Sequence, residues 1–175
     1  ISRVYVKNRL QDEFRTTFGI RWFTWTADDG LTFNGKHRYF HGADVHQDHA
    51  GWGDAVTNAG ARRDVAMVKQ AGFDFIRGSH YPHDPAFADA CDEYGVLFWS
   101  ENDFWGIGDY KGDGYFNASS YPTKEDDQAP FEAHVLESLR DMIRINRNHP
   151  SIIVWSMSNE PYFSPASVMS KVRRL

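Results

Sequence analysis

Hydrophobic and polar residues follow two different patterns along the chain. Residues 3–7 and 16–25 alternate in the two-residue period of β-strands, and Asn34-Gly35 is a strong signal for a tight hairpin turn. From residue 39 onward, short strand-like runs alternate with segments of helical period. The four runs are residues 39–44, 73–78, 96–99 and 152–155. The pattern predicts an antiparallel opening, followed by a parallel sheet built from four strand–helix units.

Three segments carry helix signals. They are residues 59–70, 84–94 and 131–148. In the second, Asp84-Pro85 supplies an N-cap acid and a proline at the first helical position, and Gly95 suits the end of the helix. Residues 102–129 are rich in Gly, Asp, Tyr and Ser, which predicts a long functional loop.

Composition narrows the class of protein. The 175 residues are 41% hydrophobic, enough for one domain with a core, and the net charge is −5 without a basic stripe. Nucleic acid is therefore not an expected partner. Aromatic residues reach 15%, with six Trp, and a surplus of this kind often lines sites for sugar rings. The single cysteine, Cys91, is predicted to lie in the core.

The chain carries no targeting signal that the sequence reveals. No apolar run is long enough to cross a bilayer, so no membrane partner is expected. The first residues lack an initiator Met and a signal-peptide pattern, which suggests a piece of a longer chain. The compartment stays open between the cytoplasm and the periplasm or exterior.

Polar residues follow each of the four predicted strands. They are Asp44 and His46, then Arg77, Ser79 and His80, then Glu101 and Asn102, then Asn159 and Glu160. Pro161 should stop the last strand and hold Glu160 at its carboxyl end. In parallel α/β folds the carboxyl ends of the strands carry the chemistry, so we expect these residues to converge.

Each of these residues also has a structural interpretation. Considered without its neighbours, Glu160 is interpreted as a solvated acidic residue in a loop, and His46 as a hydrogen-bonding loop residue. Glu101 is a candidate substrate-binding residue, but it and Arg77 could form a structural ion pair. Trp105, in the long loop, is a candidate for stacking on a ligand.

Several separated motifs resemble the barrel domain of family 2 glycoside hydrolases. They are Arg-Gly-Ser-His-Tyr-Pro at 77–82, Cys-Asp-Glu-Tyr-Gly-Val-Leu at 91–97, and Asn-His-Pro-Ser-Ile-Ile-Val-Trp-Ser-Met-Ser-Asn-Glu at 148–160. Residues 18–21 and 31–36 look like that family's junction between an immunoglobulin-like sandwich and the barrel. The resemblance implies a partial (β/α)₈ TIM barrel, with residues 1–20 ending a preceding β-sandwich domain and residues 21–175 forming the N-terminal half of the catalytic barrel.

The resemblance also implies a function, that of a retaining exo-β-glycosidase most like β-galactosidases, with a terminal β-galactoside as substrate. Glu160 matches the family's general acid/base and Asn159 the residue that binds the sugar 2-hydroxyl. Arg77 matches an arginine that braces the nucleophile, and His46 and His80 match histidines lining the sugar subsite. A β-glucuronidase or β-mannosidase of the same family remains the alternative.

Half of the expected machinery is missing. Retention needs two carboxyl groups about 5 Å apart, and the family's nucleophile follows the seventh strand, whereas this chain ends just after the fourth. The isolated piece should therefore be inactive. It should also need the rest of the barrel, or a second copy, to cover its open sheet edges. No cofactor is required for this chemistry, and residues 101–107 depart from the motif that holds Mg²⁺ in some relatives, so neither Mg²⁺ nor Na⁺ is supported there.

Two other classes stay open on the residues alone. A metal-dependent TIM-barrel hydrolase could use some of His41, His46, His80 and Glu101 as ligands, although their spacing matches no compact motif. A non-catalytic fragment could bind a glycan through Asn159 and the aromatic residues without cleaving it.

Overall fold

The computed structural model describes residues 1–105, 122 and 124–159 and contains nine strands and three helices in that part of the chain. In order, the elements are β1 (Ser2–Val6), β2 (Arg9–Phe14), β3 (Phe23–Thr26), β4 (Gly30–Phe33), β5 (Lys36–Arg38), β6 (Gly42–His46), α1 (Asn58–Gln70), β7 (Phe75–Ser79), α2 (Pro85–Tyr94), β8 (Leu97–Trp105), α3 (Glu125–Asn146) and β9 (Ile152–Asn159). None of these helices is long and apolar enough to span a membrane.

The second half of the chain forms a four-stranded parallel sheet. Its strands lie in the order β6-β7-β8-β9, so the order in space is the order in the chain. One helix connects each pair of neighbours, which is the repeated strand–helix unit of a (β/α)₈ barrel. The predicted four strands and three connecting helices are therefore confirmed.

A compact hydrophobic core lies between this sheet and its helices. Val65 of α1, Ile76 of β7 and Ile152 of β9 are completely buried there, together with Phe87 of α2 and Phe98 of β8. Because side chains alternate along a strand, the neighbours of these residues point to the opposite face. That face is the interior side of the barrel and carries Arg77, Trp99 and Glu101.

The strands differ in extent from the apolar runs that predicted them. The first, expected at residues 39–44, is β6 at Gly42–His46, and the third runs from Leu97 to Trp105 instead of ending at residue 99. The predicted polar residues belong to the strands themselves, with Arg77 inside β7 and Asn159 as the last residue of β9. Their side chains find hydrogen-bond partners on neighbouring strands.

Helix boundaries agree with prediction where local caps set them. Asp84 caps α2, its carboxylate accepting a hydrogen bond from the Ala86 N–H at 2.8 Å, and Gly95 ends the helix in the left-handed conformation. The third helix was predicted from residue 131, but α3 begins at Glu125 and contains Pro130. The predicted loop 102–129 is correspondingly wrong at both ends; residues 106–121 and 123 lie outside the described part.

The opening of the chain is antiparallel, as predicted, but with different strands. β1 pairs with β2 through a turn in which Lys7 and Asn8 both have positive φ. β2 was not predicted because it lacks apolar alternation. The strand predicted at residues 16–25 is limited to β3, which starts at Phe23. A β-sandwich domain ending at residue 20 stays a prediction.

A three-stranded sheet, β3-β4-β5, lies beneath the parallel sheet. Asn34 and Gly35 have φ of 47° and 76° in the tight turn between β4 and β5, as predicted. Arg21, just before β3, donates to the carbonyl oxygens of Pro150 and Ile152 where β9 begins. The hairpin therefore lies at the amino ends of the barrel strands and forms a floor, away from the carboxyl ends.

Candidate active site

The carboxyl half of the parallel sheet brings three predicted site residues into direct contact. Arg77 lies on β7, Glu101 on β8 and Asn159 on β9. The Arg77 guanidinium donates to both oxygens of Glu101, with Nη2 2.9 Å from Oε1 and Nε 3.2 Å from Oε2. The same Nη2 is 2.9 Å from Oδ1 of Asn159. One arginine therefore links three adjacent strands.

Glu101 is the most enclosed member of this cluster, because its side chain has no exposed surface. Besides Arg77, it accepts hydrogen bonds from His80 Nδ1 at 2.9 Å, Trp99 Nε1 at 3.1 Å and Ser156 Oγ at 2.9 Å. Burial alone would raise the pKa of Glu101, but the hydrogen bonds from Arg77, His80 and Ser156 outweigh it and hold the pKa below its ordinary value. The carboxylate is therefore ionised and paired at neutral pH.

His80 and His46 lie side by side above this cluster. Their rings meet edge to face with centroids 5.0 Å apart. His80 Nδ1 faces both Glu101 Oε1 and, at 3.2 Å, Arg77 Nη2. Since an arginine N–H can only donate and a carboxylate can only accept, the proton on Nδ1 belongs to the bond with Glu101. Among the described residues, the other ring nitrogen, Nε2, has no hydrogen-bond partner and can bind a ligand.

Two residues of the cluster were not predicted for the site. Trp99 ends the apolar strand run predicted at residues 96–99, yet its indole N–H donates to Glu101, and Ser156 was assigned no role. Ser156 lies directly beside Glu101 in the pairing of β8 with β9. The only sequence signal for it is a serine inside an otherwise apolar strand, which by itself favours no function.

Not every predicted strand-end residue belongs to the cluster. Asn102 faces α3, where its amide donates to the Val135 carbonyl and accepts from the Ser138 hydroxyl. Glu160, the predicted acid/base, lies outside the described residues, as does the side chain of Trp105, whose backbone ends β8.

The geometry bears on the metal-site alternative. Across residues 1–105, 122 and 124–159, no three His, Cys, Asp or Glu side chains are grouped so that they could hold a metal ion. Two of the four candidate metal ligands, His80 and Glu101, instead form a hydrogen bond with each other.

The arrangement defines a class of site. Polar side chains converge at the carboxyl end of parallel strands, where a TIM barrel carries its chemistry. Arg77, His80 and Asn159 can hydrogen-bond a polyhydroxylated ligand. The positive charge of Arg77 is balanced by the carboxylate of Glu101. Such a site suits recognition of a neutral, hydroxyl-rich molecule.

Comparison with known proteins identifies the family. The sequence profile of the glycosyl hydrolases family 2 TIM barrel domain matches residues 26–173. The chain belongs to this family and corresponds to the N-terminal part of its catalytic domain.

Individual relatives agree with this assignment. The chain is 34% identical over 149 residues to a beta-glucuronidase of Bacteroides fragilis, covering 85% of the chain and 20% of the relative. It is 30% identical over 161 residues to a beta-galactosidase of Bacteroides ovatus, covering 91% of the chain and 17% of the relative. A solved structure, the FMN-binding beta-glucuronidase from Facaelibacterium prausnitzii L2-6, superposes with a TM-score of 0.78 at 31% identity, over 97% of this chain and 24% of that one. The chain thus spans about a fifth of the length of these relatives.

Proposed function

We propose that this chain supplies the acid/base half of the active site of a retaining exo-β-glycosidase. The observation that carries the proposal is the position of Asn159, which ends the fourth parallel strand of a family 2 barrel and is held there by Arg77. Glu160 is the next residue in the sequence. A carboxyl group directly after Asn159 would act where the sugar 2-hydroxyl is bound.

The proposed reaction is a double displacement. Glu160 donates its proton to the glycosidic oxygen as the aglycone leaves, while a nucleophilic carboxylate from outside this chain bonds to the anomeric carbon. Glu160, now ionised, takes a proton from water, and the resulting hydroxide displaces the carboxylate with net retention. Two carboxyl groups and water balance the reaction, so we assign it no cofactor.

The proposed roles of the remaining residues follow from their contacts. Asn159 binds the 2-hydroxyl, and His80 and His46 line the sugar subsite beside it. We propose that Arg77 braces the nucleophile from the same edge of the sheet. Trp105 is proposed to stack on the ligand, as the sequence suggests.

The proposed substrate is a terminal β-galactoside. Its support is electrostatic: in the described part of the site, the Arg77 charge is matched by Glu101, which suits a neutral sugar better than an anionic one. A β-glucuronide is the second candidate, favoured by the glucuronidase names of the relatives at 34% and 31% identity.

The remaining half of the active site implies a structural partner. β6 and β9 each have one unpaired edge in the described sheet. We propose that the rest of the barrel covers these edges and supplies the nucleophile.

A panel of nitrophenyl β-glycosides tests the proposal. The full-length protein that contains this chain should hydrolyse the galactoside or the glucuronide, and Glu160→Ala should strongly slow turnover, because hydrolysis of the glycosyl-enzyme loses its general base. External azide should restore turnover of an activated substrate, because azide needs no general base. Glu137→Ala, an exposed position on α3, is the control and should retain full activity.

Two results would contradict the proposal. One is unchanged turnover in Glu160→Ala, and the other is a wild-type protein that binds sugars and cleaves none of the panel. The second result would favour a glycan-binding role.

A further inference from the structure

The carboxylate of Glu101 has no capacity left for a ligand. A carboxylate offers about four lone-pair sites to hydrogen-bond donors. Four side chains already donate to the two oxygens of Glu101: Arg77, His80, Trp99 and Ser156. Its side chain is also completely buried. A sugar hydroxyl therefore finds neither an open surface nor a free acceptor on this residue.

Arg77 is fixed by Glu101 in one orientation. Its Nε and Nη2 atoms both point at the carboxylate, and a paired contact of this kind sets the plane of the guanidinium as well as its position. Nη2 also donates to the amide oxygen of Asn159. The orientation imposed by Glu101 thus reaches the residue at the end of β9.

Arg77 in turn decides which way the Asn159 amide faces. With Oδ1 accepting from Nη2 at 2.9 Å, the NH₂ group of Asn159 points away from the arginine. The reversed amide would place two N–H donors against each other, because a guanidinium cannot accept a hydrogen bond. Asn159 therefore presents its NH₂ group, a donor, on the side away from Arg77.

We propose that Glu101 is a positioning residue that acts on the sugar through Arg77, by holding the Asn159 NH₂ group toward the 2-hydroxyl. This rests on the proposed function, in which Asn159 binds that hydroxyl. It replaces the prediction that Glu101 binds substrate directly. Ser156 contributes to this positioning, because its hydroxyl, on the neighbouring strand, donates a hydrogen bond to Oε2 of Glu101.

The contacts that run from Glu101 through Arg77 to Asn159, called the relay below, have a specific kinetic consequence. Losing the relay should weaken above all the contact with the 2-hydroxyl, which strengthens in the transition state. A structural defect would lower activity on every substrate equally. The substrate that lacks the 2-hydroxyl therefore separates the two explanations.

The test compares a nitrophenyl β-glycoside with its 2-deoxy analogue in the full-length protein. For Glu101→Gln we expect kcat/KM to fall about tenfold or more on the parent glycoside, the effect of losing one charge-dependent hydrogen bond. On the 2-deoxy analogue the fall should be less than about threefold, since the contact is absent there. Ser156→Ala should show the same bias with a smaller loss.

A matched control comes from α2. Glu93 forms an exposed ion pair with Arg62, so Glu93→Gln removes the same kind of pair away from the cluster. It should change kcat/KM on neither substrate. Equal losses on both substrates in Glu101→Gln, in a protein that circular dichroism shows to be folded, would overturn the relay.

A second measurement tests the relay without any turnover. In the full-length protein, Glu101→Gln should shift the NMR signals of the Asn159 side-chain amide and of the Arg77 guanidinium, and Glu93→Gln should leave both unchanged. Unchanged Asn159 signals in Glu101→Gln would overturn the relay whatever the kinetics show. Shifted signals in a protein whose full-length form cleaves no glycoside would instead support the relay and contradict the proposed function. If Glu101→Gln does not fold, Ser156→Ala provides the same comparison.

Discussion

Arg21 is predicted to be a major contributor to the stability of the half barrel. Its guanidinium donates to the carbonyl oxygens of Pro150 at 3.1 Å and Ile152 at 2.6 Å, and it lies 5.2 Å from the centre of the Phe23 ring. A hydrogen bond to a charged group contributes about 1.5–3 kcal/mol, and a partly exposed cation–π contact about 0.5–1 kcal/mol. Because water can replace part of these contacts, we expect Arg21→Ala to lower the free energy of unfolding by about 2–4 kcal/mol.

Urea unfolding, followed by circular dichroism at a fixed protein concentration, measures this effect. Arg21→Lys keeps the charge but cannot reproduce the two directed N–H groups, so it should recover only part of the loss. Arg15→Ala is the control, since Arg15 is 75% exposed in a surface pair with Glu13 and should change stability within about 0.5 kcal/mol. If Arg21→Ala were no more destabilising than Arg15→Ala, the hairpin floor would not be held by these contacts.

Two further predictions concern the same fold. The pKa of Glu101 is lower in the folded state than its ordinary value of 4.5. Its ionised form therefore stabilises the folded state above pH 4.5, and this stabilisation is lost as the pH falls through the lower, folded-state pKa. The difference in unfolding free energy between wild type and Glu101→Gln should therefore be largest near neutral pH and shrink as the pH falls through the folded-state pKa; a difference independent of pH would contradict the assigned charge state. The open edges of β6 and β9 should make the isolated chain self-associate in sedimentation velocity, and a stable monomer at tens of micromolar would show that the edges need no partner.

Most of the predicted roles of the site residues came from the family resemblance. Arg77, His80 and Asn159 were selected from strand-end motifs, and the structure brings them together as expected, with His46 beside them. The resemblance could not show which of the cluster's groups would be buried. Glu101 illustrates the difference, because the same residue suits substrate binding or an ion pair until its exposure is known.

Some features of this chain were determined by the sequence alone. The cap of α2 at Asp84, its end at Gly95 and the tight turn at Asn34-Gly35 all agree with prediction. Each depends on the backbone conformation that one residue allows, or on a contact within two residues, so neighbours in the sequence are enough to specify it.

Other features were decided only by the tertiary structure. The parallel strands contain polar residues whose side chains are hydrogen-bonded across the sheet. These bonds join Glu101 to Ser156 across 55 residues and Arg77 to Asn159 across 82. Arg21 binds a carbonyl 131 positions away. A buried polar group must find a partner somewhere in the folded chain, but the sequence pattern does not say where, because that partner is chosen by the packing of strands that are distant in sequence.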